Sequence, residues 1–279
     1  MQQAQDFRDE SDALYDVVSG LGAEDMAAAT AFKGWTITAI IRHLHVWNWA
    51  AHQSLQDTPA FAEYLAAATA RVQDGGLPAF EAGWLDGLAG DDLLHAWREK
   101  YVEVADGFAD ADPKQRVKWA GPGMSALSSI TARLMETWAH GQAIYDAQGI
   151  VRQNGDRIRN IVQLGLNTYG WTFINRGETP PEPTPQLVLT GPSGAEWIYG
   201  EDNAAERITG LAEEFCQVVT QCRNIADTSL SVTGPNATNW MAKAQCFAGA
   251  SQDPPAPGMR RRKRRRRSAR PSPSCPSTI

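Results

Sequence analysis

The sequence predicts a mainly α protein: an all-helical N-terminal domain over residues 1–176, followed by a smaller α+β domain over residues 186–250. Three observations predict this class. Apolar residues recur at helical spacing through the first 175 residues. Residues 177–185, GETPPEPTP, then place four prolines in nine positions, which neither a helix nor a central strand tolerates. Short β-like runs appear only after this linker.

The N-terminal domain contains six predicted helices with recognisable ends. Thr36 can cap the second helix, acids open the fourth, and Gly149 ends the fifth. The predicted helices cover residues 6–21, 37–55, 59–72, 91–108, 125–148 and 156–174.

The C-terminal domain is predicted to mix strands and helices. Two strands, Leu187–Leu189 and Glu196–Tyr199, flank a Gly-Pro-Ser-Gly turn. A helix is expected over Ala204–Gln221, a strand over Ser229–Val232 and a last helix over Ala237–Phe247.

The overall net charge of −6 hides a division of the chain into an acidic body and a basic tail. Nine of the 26 basic residues lie in residues 260–279, which contain no acid, so the remaining chain carries a net charge of −15. An acidic body repels phosphate backbones, so we expect nucleic acid to bind, if at all, through the tail. Residues 251–279 are expected to form a disordered extension, with or without a role of its own.

Compartment and membrane association follow from what the sequence contains. No apolar run approaches the roughly 18–20 residues of a membrane span, and no signal peptide is visible at the start. The four cysteines are too few and too scattered for a disulfide framework: Cys216, Cys222, Cys246 and Cys275. We therefore expect a cytoplasmic protein with reduced thiols.

A candidate metal site is suggested by histidines and an acid on two predicted helices. Glu136 and His140 are four residues apart, so their side chains lie on one helix face and can share a metal ion. A histidine from the second helix would complete a site with three protein ligands. His43 and His45 are about 200° apart on that helix, so only one of them can face the site. Spacing alone equally allows a simple Glu–His hydrogen bond or a surface ion pair.

Two segments carry a family resemblance: GWTITAIIRHL at residues 34–44 and ETWAHGQAIYDAQG at residues 136–149. They resemble the DinB-like superfamily, and within it the mycothiol-dependent maleylpyruvate isomerase group and its uncharacterised actinobacterial metal-binding relatives. The resemblance implies a four-helix bundle whose metal is held by a histidine on the second helix and a Glu-xxx-His pair on a later one. The implied ligands here are His43, Glu136 and His140, with His45 in reserve.

The resemblance also implies a function. It suggests a divalent metal, zinc by analogy, that lowers the pKa of a small thiol or polarises a substrate carbonyl, with mycothiol as a possible cosubstrate. The reaction would be isomerisation or group transfer on a small organic or secondary-metabolite substrate. A thiol-independent cyclase or hydrolase, and a non-catalytic metal-binding or ligand-binding protein, are the alternatives. The sequence leaves monomer and homodimer open.

Other residues are candidates for contacts with the substrate. Glu136 and Arg223 are the predicted catalytic residues, since a guanidinium suits an anionic substrate. Arg207 could do the same but fits a surface helix position equally well. Four tryptophans lie near the proposed ligands in sequence and are expected in the core, with one or two lining a pocket: Trp35, Trp47, Trp49 and Trp138.

Overall fold

The computed structural model describes residues 1–71 and 76–259. Helices occupy most of the first 175 residues, and a short 3-10 helix, Asp156–Ile158, precedes α8. The N-terminal helices are α1 Gln2–Val18, α2 Ala23–Ala27, α3 Ile37–Leu55, α4 Pro59–Arg71, α5 Gly76–Trp84, α6 Gly90–Asp110, α7 Ala126–Gln148, α8 Arg159–Asn167 and α9 Tyr169–Ile174. The strands are β1 Arg116–Trp119, β2 Gly121–Ser125, β3 Gln186–Thr190, β4 Glu196–Tyr199, β5 Arg207–Leu211 and β6 Ser231–Thr233, with helices α10 Ala212–Val219 and α11 Pro235–Met241.

Four long helices form the predicted bundle. α1 packs against α6 and α7, and α3 packs against the same two helices from the other side. Each helix contributes fully buried apolar side chains at helical spacing, among them Leu14, Ile41, Trp97 and Leu134. Burying one such side chain contributes roughly 1.5–3 kcal/mol. The predicted mainly α fold with a four-helix bundle is confirmed.

The ends of α3 and α7 follow from their capping residues. The Thr36 hydroxyl accepts a hydrogen bond from the Ala39 N–H at 3.1 Å, and Ser125 caps α7 by accepting from Ser128 N–H. Gly149 ends α7 at φ 66°, the left-handed conformation that glycine adopts at low cost. Capping therefore fixes where the two helices that carry the candidate ligands begin and where α7 ends.

The C-terminal part is built on a four-stranded sheet with strand order β4-β3-β5-β6. β3 pairs antiparallel with β4 and parallel with β5, while β5 pairs antiparallel with β6. Leu187 and Leu189 of β3 and Ile208 of β5 are fully buried. The side chains of α10 pack on α8, where Gly165 leaves room for Phe215 and Val219.

The predicted helix over Ala204–Gln221 is wrong in its first half. Arg207–Leu211 is strand β5, and α10 begins only at Ala212. Pairing with β3 and β6 overrides the helical pattern, because Ile208 alternates with Arg207 and Thr209 and enters the core as a strand residue. Arg207 therefore lies on a strand and not on a surface helix, and it forms an ion pair with Asp202.

Two other predicted helices are shorter than expected. The helix over residues 156–174 breaks at Thr168, whose hydroxyl donates to the carbonyls of Leu164 and Gly165 and so competes with the helical pattern. The last helix runs from Pro235 to Met241 and does not reach Phe247. The hairpin β1–β2 and helices α2 and α5 were not predicted.

Side chains from both predicted domains belong to one buried apolar cluster, and the division at residues 176 and 186 stays a prediction. Cys216, Cys222 and Cys246 are buried. Within residues 1–71 and 76–259, no helix combines the length and the hydropathy needed to cross a bilayer. The basic tail from Arg260 onward, with Cys275, lies outside the described residues.

Candidate metal centre

The candidate site lies where α3 meets α7. His43 comes from the second turn of α3, and Glu136 and His140 come from successive turns of α7. Each of the three offers one ligand atom, and these atoms lie within 4.8 Å of one another. In the described part of the chain the cluster contains His43 and not His45.

Glu136 and His140 form a coupled pair on one helix face. His140 Nε2 lies 3.0 Å from Glu136 Oε2. Burial raises the pKa of Glu136, but the hydrogen bond from His140 and the charges of His140, Arg133 and His43 together lower it to about 2. Burial lowers the pKa of His140, and the contact with Glu136 only partly offsets this effect. The pair is therefore an ionised carboxylate beside a neutral imidazole at neutral pH.

Aromatic rings enclose the two histidines. The rings of His43 and His140 have centroids 4.8 Å apart. Trp35 stacks parallel to His140 at 6.0 Å, and Phe32 meets the same ring edge-on at 4.8 Å. These contacts hold the imidazoles in place and shield them from water on one side.

On its other side the site opens into a cavity of about 1000 Å³. Its walls come from the bundle, from Trp171 of α9 and from the C-terminal part of the chain, including Cys222 and Phe247. Lys33 is exposed and also lines the cavity. This volume is at the upper end of the roughly 300–1,000 Å³ that small-molecule pockets occupy.

The tryptophans divide as predicted between cavity and core. Trp35 and Trp47 line the cavity, while Trp138 is fully buried and donates a hydrogen bond to Asn154. Trp49 packs against Tyr64 and Trp84. Trp119 and Trp171 also line the cavity, which the sequence did not indicate because both lie far from the ligands along the chain.

The structure does not place Arg223 among the described residues that line the cavity, although Gln221 and Cys222 are there. Its guanidinium donates to Asp146 Oδ1 at 2.7 Å, and its side chain is largely buried. Cys222 and Cys246 face the cavity, and burial raises the pKa of the Cys246 thiol. The catalytic role of Arg223 stays a prediction.

Behind His43 lies a residue that sequence reasoning missed. Glu81, on α5, is 0% exposed, and its Oε1 lies 2.8 Å from His43 Nδ1. The same oxygen accepts a hydrogen bond from Trp47 Nε1 at 3.0 Å. An acid between Phe80 and Ala82 in an otherwise apolar segment was the available signal. The contact joins residues 38 positions apart, so no local spacing rule could have found it.

The family model for the mycothiol maleylpyruvate isomerase N-terminal domain matches residues 7–145. Two uncharacterised proteins, from two strains of Mycobacterium tuberculosis, are each 39% identical over 251 residues, which cover 88% of this chain and 94% of theirs.

Solved structures agree on the fold. The crystal structure of the mycothiol-dependent maleylpyruvate isomerase matches with a TM-score of 0.52 at 15% identity, over 78% of this chain and 87% of that one. A histidine-to-alanine variant of that enzyme matches with a TM-score of 0.51 at 16% identity, over the same shares. The matched bundle, the long aligned relatives and the family model agree, and the chain belongs to the mycothiol maleylpyruvate isomerase N-terminal domain family.

Proposed function

We propose that the protein is a thiol-dependent isomerase that uses a divalent metal ion, zinc in the first place, bound by His43, Glu136 and His140. The observation that carries the proposal is the convergence of the three ligand atoms within 4.8 Å at the wall of a large cavity. The substrate would be a small organic molecule, and mycothiol, which the solved relative is named for, would be the thiol. A transferase reaction on the same substrate class would use the same groups.

The chemistry of the side chains fits a zinc ion. Two imidazoles and one carboxylate are a ligand set that zinc accepts, and three protein ligands leave a position open for thiol or substrate. Ligands must be deprotonated to bind, and an ionised Glu136 beside a neutral His140 meets this requirement. A carboxylate that stays ionised while it is largely shielded from water is costly, and a cation at this position would offset the cost.

The remaining residues of the site have separable roles. Bound zinc would lower the pKa of a thiol that reaches it. Trp35 and Phe32 cover the ligand rings and exclude water from one side. The cavity volume of about 1000 Å³ leaves room for a thiol and a small acid side by side, which a thiol-dependent isomerisation needs.

Metal analysis tests the ligand set. We expect wild type purified with zinc to hold one ion per chain, and Glu136→Ala and His140→Ala to hold little. His45→Ala is the matched control, since His45 is on the same helix as His43 but outside the cluster, and it should keep its zinc. No stoichiometric metal in wild type, or equal metal in the Glu136 and His140 variants, would overturn the proposal.

A separate measurement tests the thiol. Titration of mycothiol into zinc-loaded wild type should show binding that disappears when the zinc is removed by a chelator. Zinc-loaded His45→Ala should bind mycothiol as wild type does. If zinc-loaded wild type binds no mycothiol, thiol dependence is excluded and the metal assignment is unaffected.

A further inference from the structure

Glu81 is a carboxylate with no access to solvent, placed directly behind one of the proposed ligands. It lies on α5 next to Phe80, which together with Tyr64 belongs to a second buried apolar cluster. An ionised carboxylate in such surroundings costs several kcal/mol unless charges or hydrogen bonds compensate. Its position therefore calls for an explanation beyond packing.

The hydrogen-bonding contacts of Glu81 converge on one oxygen, Oε1. Oε1 is within hydrogen-bond distance of His43 Nδ1 and of Trp47 Nε1, at 2.8 and 3.0 Å. Oε2 has no hydrogen-bond partner in the part of the chain that the structure describes. The hydrogen bonding of this carboxylate is thus directed at α3, and at His43 above all.

A buried arginine balances the charge. Arg133 is 2% exposed and donates from Nε to Asn48 Oδ1 at 3.1 Å. Burial lowers the pKa of Arg133 to about 10, with the carboxylates of Glu136 and Glu81 acting in the opposite direction. The guanidinium therefore stays charged at neutral pH and interacts electrostatically with both acids.

We propose that Glu81 is a positioning residue that holds His43 in one tautomer and one ring orientation for metal binding; this inference rests on the proposed function. Accepting the Nδ1–H of His43 leaves Nε2 without a proton and as the free ligand atom of the cluster. A carboxylate in this place makes the imidazole a better donor to a metal, and loss of such an outer partner typically costs about 10–100-fold in affinity.

The chain contains a matched pair for comparison. His52 and Glu103 also form a histidine–carboxylate contact, with His52 Nδ1 at 3.3 Å from Glu103 Oε1, but Glu103 is half-exposed and the pair lies outside the ligand cluster. Glu103→Gln therefore removes a carboxylate from a histidine of α3 without touching the candidate site. Glu81→Gln makes the same chemical change behind His43.

The test measures zinc affinity by competition with a chromophoric chelator at fixed pH. We expect Glu81→Gln to bind zinc about 10–100-fold more weakly than wild type, and Glu103→Gln to bind as wild type does. The visible spectrum of the cobalt-substituted protein should change in Glu81→Gln and not in Glu103→Gln. Thermal unfolding without metal confirms that both variants are folded, and Glu81→Asp, which keeps the carboxylate, should recover part of the affinity.

The outcomes separate the two proposals. Wild type that binds no zinc overturns the proposed function and this inference with it. Wild type that binds zinc, with equal affinity and an unchanged cobalt spectrum in Glu81→Gln, overturns the positioning role alone.

Discussion

Two buried clusters of charged side chains lie against α7, and they are satisfied to different degrees. In the first, Glu10 of α1 is 1% exposed and pairs through one oxygen with Arg152 and through the other with Arg157 Nε, at 2.6 Å. In the second, Glu81 contacts His43 and interacts electrostatically with Arg133, and both Glu81 and Arg133 keep a buried polar atom without a hydrogen-bond partner among the described residues.

Arg152 of the first cluster also contacts a carbonyl oxygen and two aromatic rings. Arg152 donates to the carbonyl oxygen of Trp138 at 2.7 Å, and its guanidinium lies 4.7 Å from the Trp138 ring centroid and 4.9 Å from that of Tyr145. A saturated cluster of this kind ties α1 to α7. The second cluster borders a cavity and leaves bonding capacity unused, which is typical of groups placed for function.

The largest effect should come from breaking the saturated cluster. Glu10→Ala leaves Arg152, whose side chain is 4% exposed, as an unpaired buried charge. We expect the free energy of unfolding to fall by about 3–5 kcal/mol, measured by denaturant titration. The folded variant should bind zinc as wild type does, because Glu10 is not in the ligand cluster.

The control removes an exposed ion pair between α1 and α6. Asp106→Ala breaks the contact between Asp106 and Arg8, whose side chains are 68% and 37% exposed respectively. It should lower the free energy of unfolding by only about 0–1 kcal/mol. Equal losses in the two variants would show that burial and saturation do not distinguish the Glu10 cluster.

The next-largest effect should come from zinc binding at the candidate site, beside the unsaturated cluster. Zinc at about 100 times its dissociation constant should raise the free energy of unfolding of wild type by about 2.7 kcal/mol, seen as a higher midpoint of thermal unfolding. His140→Ala should show no such shift, whereas Glu10→Ala should show the full shift from a lower starting point. A zinc-dependent shift of the same size in His140→Ala would place the ion elsewhere.

The smallest effect concerns the opposite face of α3. Burial, and then the positive charge of Lys100, lower the pKa of His45 to about 4. An unfolded histidine titrates near 6.5, so between these values the unfolded chain binds a proton that folded His45 does not. The contribution of His45 to the free energy of unfolding is therefore complete above about pH 6.5. It decreases as the pH falls from there towards about 4, by up to about 1.4 kcal/mol per pH unit.

His45→Phe should reduce the difference between the free energies of unfolding measured at about pH 7 and at about pH 5. Part of the difference should remain, because burial also lowers the pKa of His52 and His140. His95→Gln, at an exposed position, should leave the slope as in wild type. A slope unchanged in His45→Phe would contradict the buried, neutral state assigned to His45.

Patterns that extend over a few residues predicted much of the fold and the Glu136–His140 pair of the candidate site. Capping by Thr36 and Ser125 and the stop at Gly149 are encoded within a few residues of each helix end, and the spacing of Glu136 and His140 is local too. Strand β5 depends on partners about 20 residues away on either side, so its helical pattern misled. Glu81 is brought to His43 only by the packing of α5 on α3.

The residues that line the cavity come from two different parts of the chain. The proposed metal ligands belong to the bundle, while Trp171, Phe247 and Gln252, which also line the cavity, come from residues beyond 145, where the family match ends. Selection can therefore act separately on the two segments. Substitutions in the later segment can change which molecule the cavity accepts while the proposed ligands stay the same, so relatives with identical ligands need not share a substrate.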